Sequence, residues 1–74
     1  MMAGAYPNPT SGHVTFFSSH TGNVTVRNTL GQVIFSVAKI AQTSDIDLAP
    51  YPAGLYFLVL EAADERVVVK IQRL

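Results

Sequence analysis

A chain of 74 residues has room for one domain, and a domain of that size buries only roughly 60% of its unfolded surface, so its core must be dense. With 49% of residues hydrophobic and 14% charged, a disordered polar chain is excluded. Lys plus Arg and Asp plus Glu balance at five each, so no chain-wide field draws the protein to nucleic acid, and the lack of cysteine rules out disulfides or a thiolate-held zinc as staples.

Met1-Met2-Ala3-Gly4 is too short and too uncharged for a signal peptide. Residues 1–5 are therefore read as an initiating methionine with linker, and the domain is placed at 6–74. The start also suits a piece of a longer protein. Downstream of it, apolar residues recur at a period of two and β-branched and aromatic types dominate, which is the pattern of strands.

The first expected strand covers residues 13–19, with Val14 and Phe16 on one face and Phe17 on the other. Ser18-Ser19-His20-Thr21-Gly22 then turns the chain into a second strand over 23–28. There Val24 and Val26 alternate with Asn23, Thr25 and Arg27, as in a strand with one wet face. Leu30-Gly31 closes it with a tight turn. A third strand is expected over 32–40, with Val33, Phe35 and Val37 sharing a face. After a polar stretch at 41–44, a short fourth strand over 45–48 turns Ile46 and Leu48 inward and Asp45 and Asp47 outward, and outward charge marks an edge. Residues 55–62 are apolar on both faces, which indicates a central strand. The longest apolar run, residues 53–60, falls far short of the ~20 residues of a membrane-spanning helix. Ala63-Asp64-Glu65 suits a hairpin connection into a last strand over 66–73, with Val67, Val69 and Ile71 inward and Val68, Lys70 and Gln72 outward. Six to seven short strands with regular turn signals imply an all-β fold, a small immunoglobulin-like antiparallel β-sandwich.

The residue types of catalysis are present without their spacing. His13 and His20 flank one strand and read as rim histidines beside turns. Ser11, Ser18 and Ser19 lack a Gly-x-Ser-x-Gly elbow and a nearby orienting carboxylate. Asp45 and Asp47, at i and i+2, project from the same face, but a calcium site needs several more oxygen ligands. No enzyme activity, cofactor or metal is expected. Asn23-Val24-Thr25 matches the N-glycosylation acceptor inside an expected strand. Arg66, Lys70 and Arg73 make the last strand basic, a plain solvated face or a surface for an acidic partner.

Tyr6-Pro7-Asn8-Pro9, followed by Thr10-Ser11-Gly12, is a rigid segment, since two prolines fix φ and push their predecessors into extended geometry. Together with Leu30-Gly31-Gln32, Asp47-Leu48 and Tyr51-Pro52-Ala53-Gly54-Leu55-Tyr56-Phe57, it resembles the C-terminal sorting domain of type IX secretion cargo, type A. The resemblance runs from Tyr6 to Leu74 in the family's order. Tyr51 departs from it, since many members place leucine there.

The resemblance implies the C-terminal end of a protein exported across the outer membrane of a Bacteroidota-type bacterium. It further implies recognition by the secretion translocon, removal by a sortase-like cell-surface peptidase, and a covalently attached upstream cargo that owns any enzyme activity. The candidate recognition residues are Tyr6, Pro7, Asn8, Pro9, Leu30, Gly31, Gln32, Pro52, Ala53, Gly54, Tyr56, Lys70 and Arg73. Gly54 and Gly31 are expected to supply positive φ in their turns. Lys70 and Arg73, beside Val68 and Leu74, are the expected reading surface, and the strand at 55–60, with its uncovered apolar face, would let the isolated domain form a homodimer. One alternative is a surface adhesion or glycan-binding module, which requires Tyr6, Tyr51 and Tyr56 as exposed, coplanar platforms. Another is a stalk-like spacer.

Overall fold

The computed structural model describes residues 3–39, 42–62 and 65–74. It holds seven strands: β1 (Ala3–Tyr6), β2 (His13–Ser18), β3 (Gly22–Arg27), β4 (Val33–Lys39), β5 (Thr43–Asp47), β6 (Gly54–Glu61) and β7 (Arg66–Arg73). All strand pairings between them are antiparallel, in a three-stranded sheet of order β1-β2-β5 and a four-stranded sheet of order β4-β3-β6-β7. The chain crosses between the sheets at β2 to β3, β4 to β5 and β5 to β6, the connectivity of an immunoglobulin-like sandwich.

Alternation decides which side chains meet between the sheets. From the smaller sheet come Val14 and Phe16 of β2 and Ile46 of β5, and from the larger Val24, Val26, Leu58, Leu60 and Ile71, all buried in one cluster. The expected faces of β2, β3, β5 and β7 stand as read. β6 is central, flanked by β3 and β7, and buries Val59 on its outer face as well. β5 is an edge, as its outward aspartates suggest.

Most strand ends shift by a residue or two from expectation, and three differences are larger in consequence. Ala3, Gly4 and Ala5, read as linker, lie in β1, which pairs with β2 in the register Ala3 to Ser18 through Tyr6 to Thr15. Small residues give no hydrophobic alternation, so the strand is invisible in sequence; the Phe17 ring lies so close over Gly4 that a Cβ there would sit 2.6 Å from its Cζ. β5 begins earlier, at Thr43, because β2 continues to offer it partners as far as Phe17. In β4 the register shifts between Val26 and Arg27, so Arg27 pairs with Val33 and Ile34 is the extra residue of a bulge. That breaks the expected alternation, leaving Val33 exposed while Ile34 packs on the core. Met1 and Met2 of the expected linker, Ile40 of the third expected strand, Ala41 of the polar stretch, and Ala63 and Asp64 of the expected hairpin connection lie outside the described residues; beside the last two, Ala62 N–H donates to the Glu65 carbonyl at 2.9 Å.

Candidate recognition surface

The loops that carry the sequence motifs all emerge at one pole of the sandwich. Residues 7–12 join β1 to β2, residues 28–32 join β3 to β4, residues 48–53 join β5 to β6, and β7 ends there at Arg73 and Leu74. Antiparallel registers bring them together: Arg27 pairs with Phe57 and Val33, and Gly54 with Arg73.

The first loop is stitched to the last strand. Both Tyr6–Pro7 and Asn8–Pro9 peptide bonds are cis. Asn8 then acts as a two-handed clamp: its Nδ2 donates to the Lys70 carbonyl at 3.0 Å and its Oδ1 accepts from Gln72 N–H at 3.1 Å. Thr10 adds a short parallel bridge to Arg73, with its N–H donating to the Gln72 carbonyl and its carbonyl accepting from Leu74 N–H. Thr10 is itself buried, and its hydroxyl donates to the His13 carbonyl at 2.6 Å while accepting from Gly12 N–H at 3.0 Å. Sequence reading missed this threonine; its place directly after the second proline was the available signal.

The second loop is organised by Asn28. Its Oδ1 accepts from Leu30 N–H at 2.9 Å and Gln32 N–H at 3.1 Å, and its Nδ2 donates to Gln32 Oε1 at 2.9 Å. Gly31 takes φ +81°, as expected, and Arg27 Nη1 donates to its carbonyl at 3.0 Å. A rigid turn thus holds Leu30 out at 81% exposure.

The third loop is pinned from two sides. Tyr56, 5% exposed, donates its hydroxyl to the Pro52 carbonyl four residues upstream. This is a tyrosine corner at the start of β6, the device that fixes the corresponding crossing in immunoglobulin-like domains. Gly54 has φ +147°, as the turn reading requires. From the other side Arg73 Nε donates to the Leu48 carbonyl at 3.1 Å and Nη2 to the Ala49 carbonyl at 3.2 Å, while Nη1 donates to the Leu74 carbonyl.

Arg73 therefore does not join Lys70 on a shared surface. The two lie on opposite faces of β7, Lys70 turned to solvent and Arg73 folded back over the β5–β6 loop. Of the other candidates, Tyr6 is exposed against Phe17, with ring centroids 6.0 Å apart, and Pro7, Pro9, Gln32, Pro52 and Ala53 are exposed in their loops. Tyr51 is half-buried and stacked on Phe35 at 5.3 Å and 17°. With Tyr56 buried and Tyr51 committed to Phe35, the coplanar tyrosine platform required for glycan binding is not formed.

His13, Asp45 and Asp47 have local partners. His13 Nε2 lies 3.8 Å from Asp45 Oδ1, which also accepts from the Thr15 hydroxyl at 3.3 Å, and Asp47 Oδ1 accepts from Ala49 N–H at 2.9 Å. The described residues include no group of three or more His, Cys, Asp or Glu placed to hold a metal. Asn23 sits in β3 between Ala38 and Glu61, inside the sheet.

Residues 4–72 match the secretion system C-terminal sorting domain family. The chain belongs to that family. No curated protein sequence matches it. The sorting domain is thus a tail of the type IX secretion class, a kind of signal that implies export across the outer membrane and is not in general enzymatic. Among its described residues no helix is long and apolar enough to cross a membrane.

Proposed function

We propose that this domain is a folded address: attached to the end of a cargo protein, it takes that cargo through the type IX translocon to the cell surface, where a sortase-like peptidase removes it. The machinery reads the motif-bearing pole of the sandwich rather than a linear peptide. The observation that carries this reading is Leu30, held at 81% exposure by a turn that spends its polar groups on rigidity. A large apolar side chain displayed on an ordered turn adds little to folding, and it has the form of a preorganised anchor for a partner's pocket. Leu74, Val33 and Leu55 are further exposed apolar residues at the same end of the four-stranded sheet, and Arg27 and Lys70 flank it on the outer face.

The test is export of a reporter fused upstream of the domain in a bacterium with a type IX system. Leu30→Ser is expected to hold the reporter in the periplasm while the isolated domain melts as before; Lys70→Ala is expected to weaken export by a smaller factor. Wild-type export of Leu30→Ser would show that the pole is not what the translocon reads.

A further inference from the structure

The sandwich has four strand edges, and three of them are guarded. Asn8 and Thr10 occupy the C-terminal half of the β7 edge. β5 turns Asp45 and Asp47 outward, and β1 is only four residues long. Short strands, charge and covering loops are the usual protections of an edge.

β4 is different. Its bulge protects only the Val33–Ile34 end, and the rest of the strand has a single charged residue, Lys39, at its last position. The direction of its free hydrogen-bonding groups follows from the ladder. Gln72 turns its N–H and C=O away from β6, towards the loop of Asn8 and Thr10. Alternation along the registers then makes Tyr56–Ile71, Arg27–Phe57, Thr25–Val59, Val24–Val37 and Val26–Phe35 the hydrogen-bonded pairs. Ser36 and Ala38 are left with N–H and C=O pointing out of the sheet. Both have small, uncharged, exposed side chains. On the inner face of the same strand Phe35 and Val37 are only half-buried, so the core is incomplete at this edge.

We infer that β4 pairs antiparallel with β4 of a second copy of this chain, joining two four-stranded sheets into one continuous sheet across a two-fold axis. A strand that is to fill this edge needs small residues opposite Ser36 and Ala38 and an apolar residue opposite Val37. β4 itself has that pattern over Ser36, Val37 and Ala38, with Lys39 of the second copy coming opposite Phe35 at each end. With Ser36 opposite Ala38 of the second copy, the outward groups form bonded pairs, and Val37 meets Val37 in the closer, non-bonded position. The antiparallel direction keeps the two Lys39 residues at opposite ends, and a formal net charge of +0 sets no general repulsion between copies.

Sedimentation equilibrium of this chain over a wide concentration range tests the inference. The weight-average mass is expected to rise towards twice the monomer, with the amides of Ser36 and Ala38 gaining hydrogen-exchange protection in step. Ala38→Pro removes an outward N–H without breaking the ladder to β3, and is expected to abolish the dimer while leaving the melting temperature near that of the monomer. Should that variant fail to fold, Ser36→Lys, which puts a charge beside the axis, decides in its place and is expected to be monomeric. A wild-type chain that stays monomeric at millimolar concentration overturns the inference. So does a folded edge variant that dimerises as strongly as wild type.

Discussion

Two side chains at the motif pole, Tyr56 and Leu30, belong to the same set of sequence motifs and have opposite physical situations. Tyr56 is buried with its hydroxyl on the Pro52 carbonyl. Tyr56→Phe removes the donor and keeps the ring, so the loss is that of one hydrogen bond, about 1 kcal/mol, or roughly 4–8 °C in melting temperature for a domain of this size. Leu30 is mostly in water already, and Leu30→Ser should change stability by less than about 0.5 kcal/mol. Thermal denaturation of the pair separates a residue that holds the fold from one that is available to a partner. A Leu30 variant that melted as low as Tyr56→Phe would mean that the turn needs its leucine for folding. Asn8 resembles Tyr56 in role: its side chain reaches residues 62 and 64 positions away, and Asn8→Ala should destabilise by about 1–2 kcal/mol, seen as a lower urea midpoint.

Among the strands, β7 is where address and architecture are hardest to separate. It buries Ile71, completes the four-stranded sheet beside β6, and is the anchor for Asn8 and Thr10. Deleting residues 69–74 would open the core and release the leading loop together, so the truncated chain is expected to lose its β-type circular dichroism. Failure of export in that truncation would then report unfolding; retention of native-like circular dichroism would show that β7 is dispensable for the fold. Legibility in sequence varied by strand for plain reasons. β6 was readable because a strand apolar on both faces has to be central, and β5 because paired outward aspartates suit an edge. β1 was not readable, since Ala3-Gly4-Ala5 has neither alternation nor β-branched residues and owes its pairing to β2 alone. The bulge in β4 was hidden because Val33, Ile34 and Phe35 are all apolar, and only the partner strand decides which of them is the extra residue.

The whole molecule works with little reserve. A domain of 74 residues is expected to be stable by only about 4–11 kcal/mol. Phe16 is fully buried between the sheets, and Phe16→Ala should cost about 3–5 kcal/mol, enough to populate the unfolded state at room temperature in the lower part of that range. Urea denaturation would register the effect; a loss below about 1 kcal/mol would mean that the two sheets close over the gap. What the sequence determined by itself is whatever depends on local order: the period-two alternation, the core faces of β2, β3, β5 and β7, the glycine-dependent turns and the family motifs. The tertiary structure alone decided that those motifs share one pole, that Asn8 and Thr10 cap the strand that ends the fold, and that Arg73 turns inward to the β5–β6 loop while Lys70 stays in water. These are pairings between residues far apart in the chain. Their partners are fixed by which strands the buried faces bring side by side, and no local pattern contains that information.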